Sequence, residues 1–256
     1  MSSQPDSRRR HERRLAAVAD RRAARRPVGH PGAVRRRGSP VGIGAVSLAA
    51  LVAGVLVVAV ALVLGGRPKE MPATVAIATA PAGIASRGYV IGNPAAPVTI
   101  DLYEDFQCPA CLAWGTSVYP GLVRNELAAG TVRIAYHPFA FIGQESRDAA
   151  RAAYAAAQQG RFWDMWATLY ANQGGHENGG SFARVRLDAM ASALGLDAQR
   201  FAADIDSPEA IEHVSAGAAA ARAAGIDSTP TLLINGTIFT GSAYPALAIA
   251  IGNAAR

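Results

Sequence analysis

The longest uninterrupted hydrophobic stretch of the chain is 41–64, which contains no charged residue. As an α-helix it would be about 36 Å long, enough to cross the hydrocarbon core of a bilayer. Arginines crowd its N-terminal side at 35–37, whereas Arg67 and Lys69 alone flank the other side. Because positive charge favours the cytoplasmic side of a membrane, the pattern predicts a single transmembrane helix with a cytoplasmic N-terminus. Everything after Leu64 would then be extracytoplasmic.

A cleaved signal peptide is the alternative, because the small residues Ala76-Ile77-Ala78 resemble a cleavage site. Signal peptides have a shorter apolar core than 41–64, and their cleavage sites lie close behind it. The length of the apolar stretch therefore favours a retained anchor.

Beyond the anchor, alternating apolar and polar positions predict two strands, Val98–Tyr103 and Thr131–Tyr136. The stretch between them, Pro109–Ala129, has a helical composition, and Pro120 should kink or divide that helix. A strand, a helix and a second strand within about forty residues form a βαβ unit.

The alanine-rich part from 144 to 225 predicts a run of helices: Glu145–Gln159, Phe162–Ala171, Arg184–Leu194, Ala198–Ile205 and Pro208–Ala224. Two short strands, Thr231–Ile234 and Thr237–Thr240, follow around Asn235-Gly236, which is typical of a type I′ hairpin. A last helix is predicted over Tyr244–Asn253. Several aromatic residues are predicted to lie in the core or at a domain interface, with a substrate-binding patch as the alternative: Trp114, Phe139, Phe141, Trp163 and Trp166.

The distribution of charge separates the N-terminus from the rest of the chain. Residues 1–40 contain twelve arginines and three acidic residues, a local charge of +9, whereas the whole chain carries +6. The remainder therefore carries −3, so the basic composition is no sign that the folded part binds nucleic acid. We predict a disordered basic cytoplasmic tail over 1–40, an extracytoplasmic linker over 65–88 and a folded domain over 89–256.

Both cysteines, Cys108 and Cys111, stand at the start of the helix that follows the first strand. A thiolate there faces unpaired backbone N–H groups and the positive end of the helix dipole. We therefore expect the pKa of Cys108 to lie below the ~8.5 of a free thiol. Pro109 suits a first helical turn, and Cys111 should be the more buried, resolving thiol. A decrease of about two pKa units would add ~60 mV of oxidising power.

Two other uses of a Cys-x-x-Cys pair fit the chain less well. A zinc site needs further ligands, but there is no second cysteine pair and the histidines after the motif lack ligand spacing. A purely structural disulfide would close too short a loop to constrain the unfolded chain much. The sequence therefore predicts a redox-active Cys108–Cys111 disulfide and no metal. A flavin or nucleotide is not implied either, because there is no phosphate-binding glycine loop.

The order of elements, βαβ at the front and ββα at the back with helices between, resembles a thioredoxin fold with a helical insertion. The resemblance rests on Tyr103–Cys111 (YEDFQCPAC) and Ser228–Thr231 (STPT). Over 94–253 the chain looks like the DsbA-like thiol:disulfide oxidoreductases, in particular the membrane-anchored ones of actinobacteria. The predicted fold class is α/β, a thioredoxin fold with an inserted helical subdomain at about 144–207, preceded by the single transmembrane helix.

The resemblance implies roles for residues around the thiols. Pro230 would be the cis-proline of the family, lying against the cysteines, and Thr229 would line the substrate groove. Many members have a buried acid six residues before the first cysteine, where this chain has Leu102. Glu104, on the same face of the strand, is either its substitute or an exposed strand-end charge. Ala110 has no side-chain donor for the first thiol, so the oxidising strength stays open.

The function implied by the resemblance is disulfide formation in exported proteins by a membrane-tethered, extracytoplasmic enzyme. Its substrates would be exported proteins that contain cysteines. A membrane oxidase, either DsbB-type or vitamin-K-epoxide-reductase-like, would reoxidise it. The alternatives are a reductase or isomerase, and a tethered binding or chaperone module without turnover. A chain with only active-site cysteines cannot misoxidise itself in an oxidising compartment, which agrees with the first reading.

Overall fold

A computed structural model describes residues 75–256 of the chain. The predicted tail over 1–40 and the predicted transmembrane helix over 41–64 lie outside the described residues, as does the first part of the predicted linker. None of the helices described for 75–256 combines the length and the apolar character needed to cross a membrane.

A six-stranded mixed sheet forms the centre of the folded part. In chain order its strands are β1 (Ser86–Arg87), β2 (Val90–Gly92), β3 (Val98–Glu104), β4 (Val132–Pro138), β5 (Thr231–Ile234) and β6 (Thr237–Phe239). They lie side by side in the order β1-β2-β4-β3-β5-β6, with β3 and β4 parallel and all other neighbours antiparallel. The four predicted strands are confirmed as β3 to β6. The first two are too short to show an alternation, so the sequence pattern does not reveal them.

Eight α-helices surround the sheet in the described part of the chain. They are α1 (Pro109–Ser117), α2 (Tyr119–Leu122), α3 (Gln144–Gln158), α4 (Phe162–Ala171), α5 (Arg184–Ala193), α6 (Ala198–Ile205), α7 (Pro208–Ala223) and α8 (Tyr244–Ala254). A π-helical turn, Val123–Leu127, continues α2. The predicted division of the first helix is present at Val118, and Pro120 lies in the first turn of α2, where no N–H bond is lost. Helices α3 to α6 lie between the βαβ and ββα halves.

Alternation in β3 decides which side chains approach the thiols. Val98, Ile100, Leu102 and Glu104 are all fully buried, whereas the residues between them are partly exposed. Glu104, the last residue of β3, is the one carboxylic acid on this buried face, and the chain continues from it to the cysteines. The sheet therefore places an ionisable group in the core beside the first helix.

Residues 76–80, which we predicted to be part of a linker, are instead bonded to the folded part. Within 76–80, alternate backbone groups bond to Asp164, Thr168 and Asn172, with distances of 2.7–3.3 Å. These three side chains recur every four residues along α4 and its C-cap residue Asn172, so they lie along one face of that helix. The folded part therefore begins before Tyr89, where we expected it to start. Helix α4 of the insertion supplies hydrogen-bond partners to this alanine-rich segment, which has no hydrophobic pattern of its own.

Helix α7 covers the end of β4 at close range. A Cβ on Gly217 would lie 2.7 Å from the carbonyl oxygen of Pro138, so a larger residue would push the helix away. Of the aromatic residues expected in the core, all but one are buried: Trp114, Phe139, Trp163 and Trp166. Phe141 is 40% exposed, and for this residue the core prediction is wrong. It lies in the loop after β4, where no strand alternation turns it inward.

Candidate active site

The two cysteines mark the start of α1, directly after the central strand β3. Cys108 is the N-cap residue and Pro109 the first helical residue. Cys108 is 8% exposed and Cys111 is fully buried, and both are free thiols in this structure. The turn that carries the chain from β3 to α1 is closed by a hydrogen bond from the Cys108 N–H to the Asp105 carbonyl oxygen, 3.0 Å long. The predicted order of exposure of the two thiols is confirmed.

The two thiols have opposite pKa shifts. A hydrogen bond from the Cys111 thiol, with further ones from the N–H groups of Cys111 and Ala110, lowers the pKa of Cys108 to about 6, against the effect of burial. Burial raises the pKa of Cys111 far above its usual range. The predicted decrease at Cys108 is confirmed, although its largest cause is the second thiol rather than the helix N–H groups.

The start of β5 forms the other wall of the site. Thr231 pairs with Tyr103 of β3, so the residues just before it lie beside the cysteine turn. Cys108 Sγ is 3.3 Å from the carbonyl oxygen of Thr229. The peptide bond between Thr229 and Pro230 is cis, as the resemblance implies. The structure therefore brings Thr229 and Pro230 to the first thiol.

Glu104 lies beneath the thiols and has no exposed surface. Its Oε2 accepts a hydrogen bond from Trp166 Nε1 at 2.8 Å, and its Oε1 has no partner among the described residues. Burial, opposed by the hydrogen bond from Trp166, raises the pKa of Glu104 to about 8. Its negative charge also contributes to the raised pKa of Cys111. Of the two possibilities that the sequence left open, the exposed strand-end charge is excluded.

Asp105 organises the turn before the cysteines, and the sequence reasoning missed it. Its Oδ1 accepts from the Gln107 N–H at 2.8 Å and from Ser146 Oγ at 2.6 Å. Its Oδ2 accepts from the N–H groups of Phe141 and Ile142 at 2.8 and 3.0 Å. The available signal was an aspartate two residues before a turn N–H, which is typical of an Asx turn. Its partners on α3 and in the loop after β4 are too distant in sequence to be foreseen.

Two amides from the insertion loop complete this support. Gln173 Nε2 donates to the carbonyl oxygens of Phe106 and Cys108, at 2.6 and 3.0 Å. The Asn178 N–H donates to Gln107 Oε1 at 2.5 Å. The backbone around the first thiol is therefore held by the Gln173 side chain, and the Gln107 side chain by the backbone of Asn178. In 75–256 no cluster of three or more metal-ligating side chains is arranged to hold an ion.

Two thiols at the start of the first helix of a βαβ unit, a cis-proline opening β5 and a helical insertion between the halves of the sheet define a thioredoxin-fold protein of DsbA-like layout. The chain belongs to the thioredoxin family, because the model of the family with that description matches residues 85–251.

Among curated proteins, the chain is similar to the Na(+)/H(+) antiporter NhaA of Herminiimonas arsenicoxydans, with 35% identity over 157 residues, 60% of this chain and 23% of that protein. It is also similar to the probable disulfide bond formation protein D of Bacillus cereus, with 28% identity over 58% of this chain and 70% of that protein. The chain thus spans about a quarter of the antiporter's length.

Among solved structures, the chain is similar to oxidised BdbD from Bacillus subtilis. The TM-score is 0.60 at 22% identity, and the match covers 66% of this chain and 92% of that one. This similarity supports the fold.

Proposed function

We propose that the chain is a thiol:disulfide oxidoreductase that donates the Cys108–Cys111 disulfide to cysteine pairs of exported proteins. The observation that carries the proposal is the pair of thiols at the start of α1, Cys108 at the N-cap and Cys111 fully buried one turn later, beside the cis peptide bond between Thr229 and Pro230. The lowered pKa of Cys108, about 6, agrees with it. A thiol of low pKa is a good leaving group, so it is released readily from a mixed disulfide.

The reaction begins with the oxidised enzyme. A substrate thiolate attacks Cys108 Sγ, the bond between the two enzyme sulfurs breaks, and Cys111 leaves as a thiolate that takes up a proton. The second substrate thiolate then attacks the substrate sulfur of the mixed disulfide, and Cys108 leaves as a thiolate. The substrate loses two electrons and two thiol protons. The enzyme gains both electrons and one proton, and the other proton goes to solvent.

We assign Glu104 the delivery of the proton to Cys111. With a pKa of about 8 the carboxyl group is protonated at neutral pH, and it lies close enough for its charge to affect the Cys111 thiol. The raised pKa of Cys111 makes that thiolate a strong base. Trp166 would hold the carboxyl group in place through its 2.8 Å bond to Oε2.

Thr229 and Pro230 are proposed to receive the substrate backbone. The residue before a strand-opening proline presents its backbone to an extended chain, and main-chain pairing of this kind binds peptides without strong sequence preference. Pro109 and Ala110 would support the site through the first helical turn, in which the Ala110 N–H stabilises the Cys108 thiolate.

We also propose that the chain is a single-pass membrane protein with an extracytoplasmic domain, a proposal supported by the apolar stretch 41–64 and the arginines before it. The reduced enzyme would pass its two electrons to a membrane oxidase, either DsbB-type or vitamin-K-epoxide-reductase-like. Protease accessibility of the domain in intact cells and in spheroplasts tests the location, since a cytoplasmic domain would be protected in both.

The catalytic proposal is tested by mixing the oxidised full-length chain, in detergent, with a reduced two-cysteine peptide. We expect stoichiometric formation of the peptide disulfide by the wild type and none by Cys108→Ser. A tethered binding module would lack this activity, and replacement of Cys108 would leave its binding unchanged.

A further inference from the structure

A groove separate from the thiols lies between α3 and α7 and has a volume of about 450 Å³. Its lining includes Val214 and Ala218 of α7, together with Phe141 and Ile211, which are 40% and 50% exposed. Large apolar side chains exposed around a concave surface are typical of binding sites.

Positive charge also collects at this groove. Arg147 and Arg151 of α3 and Arg222 of α7 line it. Residues 75–256 contain eleven arginines, no lysine and fifteen carboxylic side chains, so the groove is a basic site on an acidic domain. Arg151 is already paired with Asp148.

The other two arginines have no carboxylate partner within the described part of the chain. The Arg147 guanidinium bonds only to Gln144 Oε1, in its own helix. The guanidinium carbon of Arg222 lies 5.5 Å from the centroid of the Phe139 ring. Both are available to an incoming carboxylate, which a guanidinium binds through two parallel hydrogen bonds.

The groove borders the segments that hold the first thiol. The Phe141 N–H bonds to Asp105 Oδ2, and the Asp105 carbonyl oxygen accepts from the Cys108 N–H. On the other side, α7 ends at Ala223, and a short turn leads from it to Thr229. The segments that line the groove are therefore in direct contact with the turn that carries Cys108.

We infer that this groove binds an extended segment of the substrate polypeptide that carries an acidic side chain next to an apolar one. The inference rests on the proposed function and adds a substrate preference to it. The apolar side chain would pack on Phe141 and Ile211, while the carboxylate would pair with Arg147 and Arg222. Charge complementarity favours an acidic segment, because a basic segment would be repelled by guanidinium groups that have no carboxylate partner.

The expected preference is modest because the arginines are at the surface. Two such ion pairs should favour the acidic substrate by about fivefold in kcat/KM, which is ~1 kcal/mol. The preference should shrink as salt is added, since exposed charges are screened.

The test compares three reduced two-cysteine peptides that share the cysteine segment and an apolar flank. The flank carries glutamates in one peptide, glutamines in the second and lysines in the third, separated from the cysteines by a neutral spacer so that thiol reactivity is matched. Each rate with the oxidised full-length chain is divided by the rate of the same peptide with hydroxyethyl disulfide, which corrects for intrinsic reactivity.

The double variant Arg147→Gln/Arg222→Gln is compared with Arg87→Gln, a change of the same kind on β1. We expect the preference for glutamate over lysine to be about fivefold in the wild type and in Arg87→Gln, and to disappear in the double variant. Should the double variant fail to fold, Arg147→Gln alone should roughly halve the preference, since its guanidinium bonds only to Gln144.

Equal normalised rates for the three peptides would overturn the inference and leave the proposed function in place. A preference that survives in both arginine variants would overturn the assignment to this groove. Failure of the wild type to oxidise any peptide would overturn the proposed function itself, and with it the inference.

Discussion

Replacing Cys111 by alanine removes the hydrogen bond that contributes most to the low pKa of Cys108. A hydrogen bond to a charged group contributes about 1.5–3 kcal/mol, and one pKa unit corresponds to ~1.36 kcal/mol. The loss should therefore be about one to two pKa units. We expect the pKa of Cys108 to rise from about 6 to roughly 7–8 in Cys111→Ala.

The pKa is measured from the pH dependence of the alkylation rate with iodoacetamide and from the ultraviolet absorbance of the thiolate. Cys111→Ser is the matched control, because its hydroxyl group can still donate to the thiolate and should keep the midpoint closer to that of the wild type. An unchanged midpoint in Cys111→Ala would refute the role given to the second thiol. A wild-type midpoint near the ~8.5 of a free thiol would refute the low pKa altogether.

The low pKa also bears on the direction of electron flow. At pH 7 a thiol of pKa about 6 favours the reduced enzyme by ~1.4 kcal/mol over one of pKa 9.0, equivalent to ~30 mV. This is half of the ~60 mV expected from the sequence, because only the part of the pKa shift that lies below pH 7 changes the protonation state. Below this pKa the reduction potential should fall by ~59 mV per pH unit, and above it by ~30 mV, because one proton fewer accompanies the two electrons. The break in slope is a second measurement of the same pKa.

Three further changes test other parts of the structure by urea unfolding of the reduced protein. Burial raises the pKa of Glu104 from 4.5 to about 8. Between these values the folded state alone holds the proton, so Glu104 should lower the stability by about 3.5 kcal/mol from pH 5 to 8. The low pKa of Cys108 raises the stability of the reduced protein by about 2.6 kcal/mol over the same range, so the wild type should lose only about 1 kcal/mol whereas Glu104→Gln should gain about 2.6 kcal/mol. Asp105→Ala leaves four donors without their acceptor and should cost about 3 kcal/mol, against almost nothing for the exposed Asp188→Ala. Thr168→Val should cost about 1–2 kcal/mol and speed proteolysis within 75–80.

Each of these has a contradicting result. The same pH dependence in Glu104→Gln as in the wild type would mean that Glu104 does not hold the proton. Equal stability of Asp105→Ala and Asp188→Ala would remove Asp105 from the support of the cysteine turn. Unchanged cleavage in Thr168→Val would mean that the bonds to Ala78 do not hold the segment.

Local chemistry explains what could be predicted from the sequence. The alternation in β3 puts Leu102 and Glu104 on one face, and a proline at the second position of Cys-x-x-Cys is enough to begin a helix at the first thiol. The hairpin around Asn235-Gly236 needs positive φ at both residues, which the structure has at 48° and 83°. These features depend on neighbours in sequence.

Contacts between distant segments explain what could not be predicted. Glu104 is buried because Trp166, 62 residues later, covers it and bonds to its carboxylate. Asp105 looks like an ordinary turn residue until α3 brings Ser146 to it, 41 residues away. The segment 75–80 has no pattern of its own and is held by hydrogen bonds to Asp164, Thr168 and Asn172, about ninety residues later. In each case the helical insertion supplies the partner.

The reduction potential of the full-length chain, measured in detergent by equilibration with glutathione at neutral pH, decides between disulfide donation and reduction. We expect a value above the ~−270 mV of thioredoxin and towards the ~−120 mV of a strong oxidase, a shift to which the Cys108 thiolate contributes ~30 mV by stabilising the reduced enzyme. A value near the ~−270 mV of thioredoxin would contradict disulfide donation and indicate a reductase supplied with electrons through the membrane.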